Sequence, residues 1–320
     1  MKLETIGDTN PYPRFDHDLA KRLNKLAENP SVSGTNSEGR KNNSGVVSQT
    51  FTFTVDDLVL RGNDDFYCDD QNVGQKYKGL SETAYVGVPV SLERALEWAG
   101  KNTGIVATLP LLIAGLSVAH ANNYLRQRWH TAYSEEFSGI DTEGVYKKGK
   151  PVVIVQHGIE LLLPDRIRKA YNDGLTSQNG AELSPEEWKR FLQANTPLYT
   201  VQDVRKGKVK NHFGNYRVVL GFDKAKATIS GYQDKNTFTN NDLVLARAGT
   251  LEYLEAYFEN IKRSDGTVGC WHRFREINPR LSQGRVLFLG NCDGLDGINN
   301  LYYFARFVGV SAGGAKKNNP

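Results

Sequence analysis

The residues best placed to do chemistry lie between positions 56 and 114. An apolar run at 58–60 leads into Arg61 and Gly62, and Ser91 then opens an amphipathic segment. The planar guanidinium of an arginine offers several N–H donors to a phosphate group. A buried strand ending in arginine, followed by a serine-capped helix and another apolar strand, is one way to build a nucleotide-binding cleft. It is equally typical of ordinary α/β packing, so both interpretations stay open.

A second group of residues is basic and aromatic. Tyrosine and tryptophan rings around positions 124–130 can stack on a nucleobase, while neighbouring arginines neutralise phosphates. The same pattern is typical of a helix whose rings pack inward and whose arginines stay in water. The alternative function is therefore a non-enzymatic protein that binds RNA or a ribonucleoprotein surface, through Arg126, Arg128, Lys147, Lys148 and Lys150.

These residues need a scaffold of mixed helices and strands. Serine at 91 and the Ser-Pro-Glu-Glu run at 184–187 are typical helix starts. Apolar runs predict strands at 104–109, 151–158, 216–222, 243–246 and 286–290, and helices are predicted at 91–100, 164–172, 184–193 and 250–261. Because the order is irregular, we expect an α+β fold with a mixed sheet and flanking helices.

Composition divides the chain into three parts. Residues 1–48 form a predicted helix and a polar arm rich in serine, asparagine and glycine, and residues 311–320 form a basic tail. The segment 49–310 is the predicted globular domain, with a possible division into two subdomains near 175–200. An arm that wraps a neighbouring molecule would make the protein an assembly subunit, which is a third hypothesis.

Charge and cysteine content limit the remaining classes. The net charge is only +4 and the three cysteines are far apart, so neither a disulfide framework nor a Cys-x-x-Cys site is predicted. The six histidines lack metal-site spacing, and no P-loop or dinucleotide fingerprint occurs. We expect no metal, no membrane span and a cytoplasmic location; the oligomeric state is not predicted.

Residues 56–110 resemble the ADP-ribosyltransferase superfamily. The Leu-Val-Leu-Arg-Gly run at 58–62 looks like the strand that carries an arginine to the NAD site, and residues 95–99 have the Ala-x-x-aromatic-Ala look of its helix. The apolar strand after that helix is supplied by residues 104–109. The resemblance implies that NAD is a cofactor, bound by Arg61 and Ser91. Where arginine-type members carry Ser-Thr-Ser, this chain has Val-Pro-Val before Ser91.

The resemblance also implies a glutamate downstream, which stabilises positive charge developing on the nicotinamide ribose. The candidates are Glu135, Glu136 and Glu143. Adjacent residues of a strand point to opposite faces, so Glu135 and Glu136 cannot both enter one site. At most one of the three is catalytic under this hypothesis.

Overall fold

The computed structural model describes residues 65–68, 87–102, 104–121, 123–290, 294–298, 301 and 305–311. The predicted helix and arm within 1–48, the Arg61 turn and residues 312–320 of the basic tail lie outside these ranges. Across the described residues, no helix has both the length and the apolar character needed to cross a membrane.

Helices and strands mix along the chain, which confirms the α+β class. The strands are β1 (Asp65–Cys68), β2 (Gly104–Val106), β3 (His130–Ile140), β4 (Pro151–His157), β5 (Ala181–Glu182), β6 (Leu198–Thr200), β7 (Tyr216–Gly221), β8 (Gly231–Gln233), β9 (Val268–Trp271), β10 (Gln283–Gly290), β11 (Gly294–Asp296) and β12 (Ala305–Ser311). The helices are α1 (Gly87–Asn102), α2 (Leu109–Val118), α3 (Tyr124–Gln127), α4 (Pro164–Asp173), α5 (Pro185–Leu192), α6 (Val201–Arg205), α7 (Phe222–Ala227), α8 (Lys235–Asn240), α9 (Asp242–Ala248) and α10 (Leu254–Ile261).

The described strands form a small sheet and a large one. The small sheet has the order β1-β12-β2, and the large sheet has the order β6-β7-β4-β3-β10-β11-β9-β8, with β5 paired to β10. At its centre, β3 pairs antiparallel with both β4 and β10. Strands from both sides of residues 175–200 therefore pair in one sheet, while the proposed division there stays a prediction.

Apolar side chains cover both faces of the large sheet. Val153 and Val155 of β4 join the core that includes α2, α9 and α10. Val152 and Ile154 join the opposite core, which includes α1, α4 and α5. A strand buried on both faces needs a continuous apolar run, which is why residues 152–155 show no polar alternation.

Several predicted elements have different boundaries; the helix predicted from 250 starts at Leu254, and the strand predicted from 286 starts at Gln283. Ser91 lies inside α1, which begins at Gly87, so the prediction that Ser91 caps the helix was wrong. The predicted strand at 104–109 ends at Val106, because Thr108 and Pro110 already belong to the start of α2. Proline is favourable in the first turn of a helix, where its missing N–H has no partner to lose.

The predicted strand at 243–246 is also wrong, because these residues lie in α9. The Asn241 side chain accepts from the backbone N–H groups of Leu243 and Val244, which caps the first turn. Gly249 ends the helix in the left-handed conformation at φ 66°. Local capping thus selects a helix for an apolar run too short to show its own period.

Candidate functional site: an asparagine-lined cleft

Glu135 is fully buried on the α5 side of the sheet. Its carboxylate accepts backbone N–H groups from Glu160, Leu161 and Leu162 at 2.9, 3.1 and 2.9 Å. Burial raises the pKa of Glu135 to about 8, against the opposing effect of these donors. In this structure Glu135 fixes the segment that follows β4.

Glu136 points to the other face, as adjacent strand residues must. Its two oxygens receive Nε and Nη2 of Arg247 at 2.8 and 3.1 Å, and both side chains are buried. Nη1 of Arg247 also donates to the carbonyl oxygen of Trp271 at 2.9 Å. This bidentate pair ties α9 to β3 and β9.

The other residues of the NAD hypothesis lie apart. Glu143 follows the end of β3 and accepts from Nε2 of Gln193 at 2.8 Å, while Ser91 is buried within α1. Arg61 is outside the described residues. Among the described candidates, Glu135 and Glu136 occupy opposite faces of β3 and Glu143 lies beyond its end, so no single site contains all three. Their catalytic role stays a prediction.

The basic candidates form two groups. Arg126 and Arg128 precede β3, and the lysines at 147, 148 and 150 lie exposed in the turn that follows it. Since β3 has 11 residues, the two groups are separated by a strand of roughly 35 Å. The Asp141 carboxylate shapes the lysine turn by accepting four backbone N–H groups. The structure does not join these groups into one local patch, and RNA binding stays a prediction.

A cleft of about 450 Å³ lies where the parallel strands β6 and β7 begin. Two chain segments build it, one leading into β6 and the other leading into β7. We call it the asparagine cleft; it is lined by Asn195, Thr196, Pro197, Tyr199, Asn211, Asn215 and Tyr216.

Arg217 holds one wall of the asparagine cleft in place. Its guanidinium is buried and donates to the carbonyl oxygens of Phe191, Ala194 and Thr196 at 2.5, 2.7 and 2.9 Å. The Thr196 hydroxyl in turn donates to Oε1 of Glu160 at 2.7 Å. Because Glu135 fixes the backbone of residue 160, buried polar contacts preorganise this wall before any ligand arrives.

Asn215 is a lining residue whose side chain has an unpaired hydrogen-bond donor. The residue is 9% exposed, and its buried Nδ2 has no partner among the described atoms. Its carboxamide packs against Gly158, where an added Cβ would lie 2.1 Å from Oδ1. Leaving a buried donor unpaired costs about 1–3 kcal/mol, so such an atom calls for an explanation.

Replacing Gly158 with alanine tests this packing. Gly158 has φ +89°, so alanine is strained and its Cβ also collides with Asn215. The matched control is Gly174→Ala, where φ is +93° and nothing lies within 4 Å of the new Cβ. We expect Gly158→Ala to lower the free energy of unfolding by about 2 kcal/mol more than the control. Urea denaturation measures the difference, and equal losses would contradict the packing.

Sequence reasoning missed the asparagine cleft. Its residues come from two loops and match no motif, because amides and tyrosines are common in ordinary turns. The available signal was three asparagines at 195, 211 and 215 beside strand starts. Within the described ranges, no three His, Cys, Asp or Glu residues are grouped as a metal site.

Comparison with known proteins gives a likeness of fold. No protein family matches the chain, and no curated protein does. A solved structure reported as the accommodation of massive sequence variation in Nanoarchaeota by the C-type lectin fold aligns with a TM-score of 0.56 and 21% identity. The alignment covers 79% of this chain and 99% of the other. At this identity the likeness shows a shared fold alone.

Proposed function

We propose that this protein is a non-enzymatic binding protein that takes a polar ligand in the asparagine cleft. The observation that carries the proposal is a preorganised cleft of about 450 Å³ with a polar lining, one wall of which is held by the buried hydrogen bonds of Arg217. Ligand sites are typically concave and present a few fixed polar groups. The amide and hydroxyl groups of the lining can donate and accept hydrogen bonds with a polar ligand.

The chemistry of the lining supports binding over catalysis. Its described residues are amides, a threonine, a proline and two tyrosines. General acid–base catalysis near neutral pH most often uses histidine or a carboxyl group with a shifted pKa. Glu135 has such a pKa, but it is fully buried and its oxygens already bind three backbone N–H groups.

The fold supports the same proposal. The neighbouring structure is described by the massive sequence variation that its C-type lectin fold accommodates. Loops on a rigid sheet can vary without disturbing the core, which suits a scaffold for recognition. In this chain the cleft segments lie beside β6 and β7, and β7 pairs with β4, which is buried on both faces.

Backbone amide NMR with a library of small polar compounds tests the proposal. We expect the ligand-induced chemical-shift changes to be concentrated at residues 195–199 and 211–216. Tyr199→Ala should lower the affinity for the ligand at least tenfold. Tyr146→Ala is the control, because Tyr146 is 41% exposed and is not among the lining residues. Shifts confined to other surfaces, or equal effects of both variants, would contradict a ligand site in this cleft.

The melting temperature of the protein is also measured with NAD, with ADP-ribose and with a short RNA, because a ligand that binds only the folded state raises it. A rise with NAD that Arg61→Ala abolishes would favour the transferase-like alternative instead. A rise with RNA that loses salt dependence when Arg126 and Arg128 become glutamine would favour the nucleic-acid alternative.

A further inference from the structure

We propose that a second surface of this protein, the lysine face, binds single-stranded nucleic acid. The lysine face consists of exposed side chains from the lysine turn between β3 and β4 and from α7: Tyr146, Lys147, Lys148, Lys150, Lys224 and Lys226. The described lining of the asparagine cleft includes none of them. The inference therefore goes beyond the proposed function and does not need a ligand in the cleft.

The register of the large sheet brings the lysine turn and α7 together. Lys150 directly precedes β4, whose Val152 is paired with Gly221, the last residue of β7. The helix α7 begins at the next residue, Phe222. The Tyr146 ring packs at this junction, because its Cε1 lies 3.8 Å from the place where a Cβ on Gly221 would stand. The turn and the start of α7 therefore belong to one surface.

Tyr146 offers an exposed aromatic ring beside these charges. The residue is 41% exposed. The pKa of Lys224 is raised mainly by its hydrogen bond and attraction to Asp242, and to a smaller extent by Tyr146, which places the phenol beside this lysine. Proteins that bind single strands stack bases on exposed rings and hold the phosphates with neighbouring cations. A ring within a basic surface therefore favours nucleic acid over a polyanion that has no bases.

Most of the positive charge on the lysine face is uncompensated. Lys224 pairs with Asp242 at 2.9 Å. No carboxylate among the described residues forms an ion pair with the lysines at 147, 148, 150 and 226. The acids nearby are Glu143, which accepts from Gln193 at the end of α5, and the exposed Asp223. Four unpaired lysines against two carboxylates leave a local positive charge that complements a phosphate backbone.

The lysine turn is held in place by the protein itself. The Asp141 carboxylate accepts the backbone N–H groups of residues 144–147, which fixes the chain beneath Tyr146. A fixed turn loses less conformational entropy on binding than a mobile one. Arg126 lies at the other end of β3, where it donates to the carbonyl oxygen of Asn260, and is not part of this surface.

Fluorescence anisotropy with a labelled oligouridylate of about 10 nucleotides tests the lysine face at several salt concentrations. Each neutralised phosphate adds about 0.7 to the slope of log affinity against log salt concentration. We expect Lys147→Gln/Lys148→Gln/Lys150→Gln to lower that slope by about 2 and the low-salt affinity at least tenfold. The control removes the same total charge from exposed lysines of α1, α4 and α10, and should keep the affinity: Lys101→Gln/Lys169→Gln/Lys262→Gln.

Substitution of Tyr146 separates stacking from charge. Tyr146→Ala should lower the affinity for the oligonucleotide roughly tenfold and leave the salt slope unchanged, because it removes a ring and no charge. Tyr146→Phe keeps the ring and should keep the affinity. Tyr232→Ala is the control, since Tyr232 is 37% exposed and lies on β8. Melting temperatures show that each variant is folded.

Two results would overturn the inference. Equal affinity for inorganic polyphosphate, with no effect of Tyr146→Ala, would replace nucleic acid by a polyanion without bases. No binding at low salt, or equal losses in the triple lysine variant and its control, would reject the lysine face as a nucleic-acid site. Neither result touches the proposed function, because the cleft is tested with small polar compounds and read at residues 195–199 and 211–216.

Discussion

Arg247→Met is expected to lower the free energy of unfolding by about 3–5 kcal/mol, the usual loss when one partner of a buried ion pair is removed. Arg247 is 0% and Glu136 is 1% exposed, so no water replaces the lost guanidinium. The variant also deprives the Trp271 carbonyl of its donor at 2.9 Å. Urea denaturation, with a second optical probe to check two-state behaviour, measures the loss.

The double variant Glu136→Leu/Arg247→Met gives the coupling between the two charges. It should recover part of the loss, because no unpaired carboxylate stays in the core. Recovery is incomplete because the Trp271 carbonyl still lacks the donor that Arg247 supplied. For the buried Arg285, the lost attraction of Glu136 is opposed by the lost repulsion of Arg247. Lys262→Met is the surface control, since its pair with Glu259 is about half exposed. If Arg247→Met were as mild as this control, the buried pair would not be stabilising the fold.

Helices with complete local signals could be predicted from sequence. Ser184 and Glu187 form a capping box, and Pro185 occupies the first turn of α5. Each of these preferences acts within four residues, so tertiary contacts were not needed to identify the start. The strand at 151–158 was equally clear, because burial on both faces demands an unbroken apolar run.

The ambiguous run at 243–246 shows where local reading failed. Four apolar residues fit a strand or one helical turn equally well, and the Asn241 cap and Gly249 stop were the deciding signals. The asparagine cleft could not be predicted from the sequence for another reason. Asn195 and Asn215 meet because β6 pairs in parallel with β7, a long-range pairing that no local pattern reveals.

Acid is expected to destabilise this fold well above the pKa range of ordinary carboxylates, because three buried histidines are held neutral. His157 shows the reason most clearly. The Ser134 hydroxyl lies 3.3 Å from Nδ1, and the carbonyl oxygen of Ala246 lies 3.2 Å from Nε2. Ser134 also accepts the N–H of Leu109. The Ser134 hydroxyl hydrogen is therefore free to be donated to Nδ1 of His157. This series of hydrogen bonds requires the neutral tautomer of His157 that carries its hydrogen on Nε2.

Burial lowers the pKa of His157 to about 3 and those of His130 and His272 to about 4. Unfolded histidines titrate near 6.5, so below that pH the unfolded chain binds protons that the folded chain does not. This stabilisation is present above pH 6.5 and is lost as the pH falls towards 4. Glu135 acts in the opposite sense, since its folded pKa is raised to about 8 and folding binds its proton. Near pH 5 to 5.5 the net uptake on unfolding is therefore about two protons, or roughly 3 kcal/mol per pH unit, and it falls towards zero as the pH rises to about 7.

Urea midpoints measured between about pH 7 and pH 5 test this slope. His272→Gln should flatten it by about one proton, roughly 1.4 kcal/mol per pH unit, because glutamine can still donate to the Thr228 carbonyl but does not titrate. His120→Gln makes the same substitution at an exposed position and is the control. The ring resonances of the native protein give a check that needs no variant. Titration of the His157 ring near pH 6.5 in the folded state would show that the Ser134 chain does not hold it neutral.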